Sequence, residues 1–168
     1  MLDYVHAALR RPRRALVVST IERKRQEHPE LRGSVTLADL RRVAAREGID
    51  VSYASPLPGR AIGVALVFLG ARVVMLEDRL PVPLRRHVLA HELAHHWAGH
   101  CENAMLRAWR AVELEAMQDA DDTRRGLIYD RTEDEADLIA AGLLGLSVED
   151  FRAPIEAFLA TANGAEGA

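Results

Sequence analysis

A chain of 168 residues with 49% apolar content has enough material for one domain with a complete core. Its formal net charge of −3 gives no electrostatic footprint for nucleic acid, and no apolar stretch reaches the length of a membrane-spanning helix. Cys101 is the only cysteine, which excludes an intrachain disulfide and fits a reducing, cytoplasmic setting.

Residues 4–27 carry scattered helical signals and much charge, and read as one or two helices. Behind the Arg13-Arg14 pair, the apolar run Ala15-Leu16-Val17-Val18 is too short for a signal-peptide core. Residues 1–50 hold 11 basic and 7 acidic side chains, an excess that reads as a solvated face. Lys24 is the sole lysine, and the preference for arginine reads as gene base composition. His28-Pro29 and Gly33 break the pattern. Thr36 then stands as cap to a helix over 37–47, with Leu37, Leu40, Val43 and Ala44 as its buried stripe and Gly48 as its end. A strand over 49–53, a loop at Ser55-Pro56-Leu57-Pro58-Gly59, and β-rich runs at 61–69 and 72–76 follow, with Gly70-Ala71 as a hairpin connection. Together these predict a small, mostly antiparallel sheet.

Pro83 suits a first helical turn, Leu84, Val88, Leu89, Leu93 and Trp97 recur at helical spacing, and Gly99 is a C-terminal stop, so an amphipathic helix is expected over 83–98. Residues 101–122 also read as helix, with Met105, Leu106, Trp109, Val112, Leu114 and Met117 on an apolar side. The acids Glu113, Glu115, Asp119, Asp121 and Asp122 read as its solvated face. Gly126 is expected to end or bend this region, and a further helix opens near Glu133, continued by Leu138, Ile139, Ala141, Leu143 and Leu144. The last helix, 147–161, begins at Ser147 with Asp150 in near capping-box spacing, and the tail beyond Thr161 is expected to fray. The predicted layout is one α+β domain: a basic helical extension over 1–35, a core over 36–146, and a C-terminal helix and tail over 147–168.

Chemistry concentrates in His91-Glu92-Leu93-Ala94-His95. Random placement of this chain's histidines and glutamates yields H-E-x-x-H in about one chain in fifty, and here the motif falls on a predicted helix. Residues four apart share a helix face, so His91 and His95 can bind one metal ion while Glu92 beside them takes a proton from water. A third ligand is needed. Glu133 and Asp137 lie four apart on the later helix: Glu133 completes a His-His-Glu set, and Asp137 accepts the free ring N–H of a liganding histidine. Glu135 is the alternative third ligand, and either glutamate can instead serve a capping box, as Asp130-Arg131-Thr132-Glu133 and Thr132-Glu133-Asp134-Glu135 both fit that spacing. His87, His96 and His100 are expected to tune the pocket or face solvent. Cys101 reads as a small core residue. His100, Tyr129 and Arg131 are unranked candidates to stabilise an oxyanion.

His91-Glu92-Leu93-Ala94-His95-His96 on one helix and Glu133-Asp134-Glu135-Ala136-Asp137 on a later one, after a short α/β segment, resemble the ImmA/IrrE-type metallopeptidases of bacteria and their mobile elements, over roughly residues 36–146. The resemblance implies a metallopeptidase core in which His91, His95 and Glu133 hold Zn²⁺ and Glu92 is the catalytic base. It also implies cleavage of a helix-turn-helix repressor in stress response or element transfer, with an edge strand of the sheet lying along the cleft. Two departures stand out: a long insert separates the two motif helices, and Leu143-Leu144-Gly145-Leu146 replaces a segment that commonly ends in proline. The resulting expectation is a zinc-dependent endopeptidase acting on a cytoplasmic regulatory protein, without direct contact to nucleic acid or membrane. The alternative is a catalytically silent, metal-binding regulator that sequesters a repressor or toxin.

Overall fold

The computed structural model describes residues 12–55, 57, 61–103 and 120–164, with the backbone alone for 102–103, 120–130 and 162–164. Among them are five helices and one sheet, an α+β architecture. The helices are α1 (Arg14–Glu27), α2 (Leu37–Arg46), α3 (Val82–Trp97), α4 (Ala120–Leu144) and α5 (Val148–Gly164); the strands are β1 (Ile49–Ala54), β2 (Gly63–Phe68) and β3 (Ala71–Glu77). Short 3-10 turns occupy Pro29–Arg32 and His100–Asn103. Most of the helix expected over 101–122, with its apolar side, lies outside the described residues. None of the described helices is long and apolar enough to cross a membrane.

Helix α2 starts and stops where its local chemistry dictates. The Asp39 N–H donates to Thr36 Oγ1 and the Thr36 N–H to Asp39 Oδ2, a reciprocal cap, and Gly48 ends the helix at φ +66°. Leu40, Val43 and Ala44 are fully buried.

The sheet is mixed, with strand order β1-β3-β2. β2 and β3 pair antiparallel and end at Phe68↔Ala71, while β1 and β3 pair parallel from Ile49↔Arg72 to Ala54↔Glu77. The expectation of a mostly antiparallel sheet is therefore corrected: alternation along a strand reports the face a residue takes, not the neighbour it pairs with. The chain passes from β1 to the far edge, and β3 returns between the two. The hairpin turn is Leu69-Gly70, one residue earlier than expected; both have positive φ (+50° and +82°), as a two-residue type I′ turn requires. Val74 and Leu76 of central β3 are fully buried, and Val51 and Ala65 flank Val74 in the same row.

Helix α3 is less amphipathic than its apolar stripe implied. Eleven of its 16 residues are buried, including His87, Glu92, His95 and His96, because it packs against the sheet on one side and α4 on the other. Helix α4 also corrects an expectation. It runs unbroken through Gly126 and past Glu133. A glycine inside a helix costs about 1 kcal/mol relative to alanine, which is small beside the burial of Ala136, Ile139, Ala140 and Leu143 on this helix. α4 closes at Gly145 (φ +70°), where Leu146 N–H reaches Ala141 O and Gly145 N–H reaches Gly142 O, a Schellman end. Ser147 caps α5 by accepting the Asp150 N–H.

The basic N-terminal segment is not simply a solvated face. Arg23 donates to Trp97 O at the end of α3, and Arg25 to Gly142 O near the end of α4, cations placed where a helix exposes unpaired carbonyls. Gly142 permits this approach: a Cβ there would lie 2.5 Å from Ile21 Cδ1. Lys24 Nζ is buried between Glu47 (2.6 Å) and Glu27 (2.8 Å). The Glu47 carboxylate also meets His28 Nε2 at 2.7 Å and the Trp97 indole N–H at 2.9 Å, joining α1, α2 and α3.

Burial alone would raise Glu47, but the bonds from Lys24 and His28 outweigh it and hold its carboxyl below the ordinary 4.5. Its contribution to stability is therefore complete above that ordinary value and is lost as pH falls through the lower folded one. Removing one partner of a buried pair costs about 3–5 kcal/mol, and Glu27 still reaches Lys24, so Glu47→Gln is expected to destabilise by about 3 kcal/mol near neutral pH. Urea titrations at several pH values should show the gap to wild type closing in acid; a pH-independent gap would mean that the charge of Glu47 contributes nothing.

Candidate metal centre

Helices α3 and α4 bring the predicted ligands together. One donor atom from each of His91, His95 and Glu133 lies within 4.8 Å of the others. His91 Nε2 is 3.0 Å from His95 Nε2 and 3.1 Å from Glu133 Oε2, while Glu133 Oε1 is 3.4 Å from His95 Nε2. Asp137, one turn beyond Glu133, takes the other side of His91: the Nδ1–H donates to Asp137 Oδ1 at 2.7 Å, which turns Nε2 toward Glu133 and His95. Arg152 of α5 secures Asp137 through its Nε–H and reaches Asp134 at 2.7 Å through Nη2.

Glu135 points elsewhere. Fully buried, it binds Arg13 and accepts from His100 Nε2 at 3.0 Å, and His100 Nδ1 lies 3.1 Å from His95 Nδ1. Since α4 is already helical from Ala120, neither Glu133 nor Glu135 occupies a helix start, and the capping alternatives fall away. His87 and His96 are also accounted for. His87 is buried against Phe151, with its Nδ1 3.2 Å from Pro83 O, and His96 Nε2 donates to Val73 O at 3.1 Å. Both contacts are structural, and neither ring lines the cavity at the site. Arg131 stands 3.8 Å from Glu135; the side chain of Tyr129 and those of the acidic patch at 113–122 lie outside the described residues.

A cavity of about 390 Å³ opens in front of His91, Glu92 and Glu133. Ala61, Ile62 and Gly63, at the start of edge strand β2, form one wall, and Arg152, Ile155, Glu156 and Leu159 of α5 form another. Gly63 allows the strand to come close: a Cβ there would lie 2.5 Å from both Glu92 Oε1 and Val88 Cγ1. Arg152 and the α5 wall were missed in the sequence, where nothing links them to the motif. His100, five residues beyond His95 and just past Gly99, was visible as a histidine but not as a partner.

The electrostatics favour positive charge at the centre. Burial works against an imidazolium at His91, yet the Asp137 and Glu133 carboxylates outweigh it and raise its pKa to about 10. Burial likewise opposes ionisation of Glu133, but the two imidazoles hold it well below the usual carboxylate range. Glu92 is raised, chiefly by burial, with His91 and His95 pulling the other way. Burial and His95 push His100 down to about 4, against the pull of Glu135. With their Nδ1 atoms engaged, both ligand rings turn Nε2 inward. Two ring nitrogens and a carboxylate converge on one point where positive charge is favoured, whether as a proton on His91 or as a bound cation, and two imidazoles with one carboxylate suit a divalent ion such as zinc. Compared with family models, curated proteins and solved structures, the chain matches none.

Two outcomes are expected. In zinc competition titrations, Asp137→Asn should weaken binding by about 10- to 100-fold, the usual cost of losing an outer partner, and Glu133→Ala by more; undiminished affinity in Glu133→Ala would remove it from the ligand set. Gly63→Ala should lower stability by about 1–3 kcal/mol through overpacking against Val88 and Glu92. An unchanged denaturation midpoint would mean that the strand yields without cost.

Proposed function

We propose that this protein is a zinc-dependent endopeptidase that hydrolyses a peptide bond in a regulatory protein, with a helix-turn-helix repressor as its target. The observation that carries the reading is the buried Glu92 carboxylate on the cavity wall beside a three-donor set of two imidazoles and a carboxylate. His91, His95 and Glu133 would hold the ion, which when bound supplies Lewis-acid activation of water and of the scissile carbonyl. Three protein ligands leave room for substrate, where a structural site takes four.

The remaining chemistry belongs to the chain. Hydrolysis adds hydroxide to the carbonyl carbon and a proton to the departing nitrogen. Glu92 takes the proton from the attacking water and returns it to the amine as the C–N bond breaks. Burial raises the proton affinity of Glu92, which favours the first half of that exchange, taking the proton from water. The edge strand β2, whose first residues line the cavity, is the element that an extended substrate would join by strand addition. An extended segment is most readily drawn from a flexible linker, so an exposed interdomain stretch of a repressor suits the site better than a folded helix. The choice of repressor as target rests on the resemblance to the ImmA/IrrE-type metallopeptidases. A sequestering regulator would need no proton acceptor in the cavity.

Glu92→Gln keeps the shape and removes the acceptor. It should bind zinc as wild type does and lose cleavage by at least the about 10²- to 10⁴-fold that a positioned acid/base contributes. The assay is incubation of zinc-loaded protein with the repressor encoded nearest to it, following fragment masses and operator binding. Equal cleavage by the variant would move the base elsewhere; binding of the repressor without any cleavage by wild type would favour sequestration.

A further inference from the structure

The two ligand imidazoles are supported in different ways. His91 rests directly on a carboxylate, Asp137. Behind His95 stands another ring, His100, and behind that Glu135 and Arg13. The hydrogen-bond grammar of this chain allows little freedom. Glu135 Oε1 accepts from the Arg13 backbone N–H (2.7 Å) and Nε–H (3.0 Å), and Oε2 from Arg13 Nη2 (2.9 Å) and His100 Nε2 (3.0 Å). A carboxylate paired with a guanidinium only accepts, so the His100 proton sits on Nε2 and its Nδ1 is a lone pair. That lone pair is 3.1 Å from His95 Nδ1, so His95 donates from Nδ1 and presents a bare Nε2 toward His91 and Glu133.

We propose that His100 is a positioning residue for the metal ligand His95, held in register by Glu135 and anchored by Arg13 at the head of α1. The N-terminal helix is thereby part of the metal centre, although Arg13 lies 122 residues from Glu135 in sequence. Docking of α1 fixes the Glu135 carboxylate, the carboxylate fixes the His100 tautomer, and the tautomer leaves His95 ready to bind. By reciprocity, an ion bound at His95 strengthens the docking of α1. The inference rests on the metal-binding part of the proposed function and not on peptide hydrolysis.

Zinc affinity, measured by chelator competition on the full chain, tests this together with the proton positions read from long-range ¹H–¹⁵N correlations of the histidine rings. His100→Phe removes the acceptor and should weaken zinc by about 10- to 100-fold; His100→Gln, whose amide oxygen can accept from Nδ1–H, should recover part of that loss; Arg13→Ala should weaken binding in the same direction. Circular dichroism of each metal-free variant reports whether the fold is kept. In zinc-loaded wild type the expected protons are on Nδ1 of His95 and Nε2 of His100, a reading that does not depend on any variant folding. A His100 proton on Nδ1 alone, or zinc affinity in a folded His100→Phe within about twofold of wild type, overturns the proposal. Ranked zinc affinities without cleavage of any substrate would support the relay while removing the peptidase reading, so the two failures are distinguishable.

Discussion

The contact between α3 and α4 buries His95, His100 and Glu135 almost completely and His91, Glu133 and Asp137 in large part, and a buried polar group without a partner costs several kcal/mol. Each of these side chains has one. Asp137 serves His91, His100 serves His95, Glu135 serves His100, and Arg13 and Arg152 neutralise the two supporting carboxylates from opposite ends of the chain. A half-satisfied network would be worse than an apolar interface, so the positions of α1 and α5 follow from the polarity of the α3–α4 contact.

That dependence gives the site two unlike halves. Its floor is a closed set of hydrogen bonds with little freedom to rotate. The walls are built differently, from the first residues of an edge strand and from Ile155, Glu156 and Leu159 on α5. Such a division suits a centre that holds its donors rigidly while presenting an apolar wall and the start of an edge strand to whatever enters. Arg152 couples the halves, since it lines the cavity and also grips the carboxylate behind His91.

What could be read from the sequence was what lies within one or two turns of helix. The i,i+4 spacings of His91 with His95 and Glu133 with Asp137, the Thr36 cap and the Gly48 and Gly99 helix ends are all local, and local geometry fixes them. Parallel pairing of β1 with β3 was not legible, because two strands with the same alternation carry no mark of which neighbour they choose. Helix α4 was read as two pieces because Gly126 is a strong local signal, overridden by long-range packing. The Arg13–Glu135 and Arg152–Asp137 pairs escaped for the same reason: an arginine on a helix looks solvated until the fold supplies a buried carboxylate opposite it. His100 was singled out, but its role depends on the turn after Gly99 that sets its ring against His95.

The placement of Lys24 has a consequence for the protein's surface chemistry. The chain's only ε-amine is 5% exposed and clamped between the Glu47 and Glu27 carboxylates, so it is shielded from electrophiles in solution. Reagents and enzymes that modify proteins through lysine would find no accessible ε-amine on the folded molecule. Cross-linking, immobilisation or fluorophore attachment would need carboxylate- or arginine-directed chemistry instead. Conversely, labelling of Lys24 would report that α1 had lifted from the body of the protein.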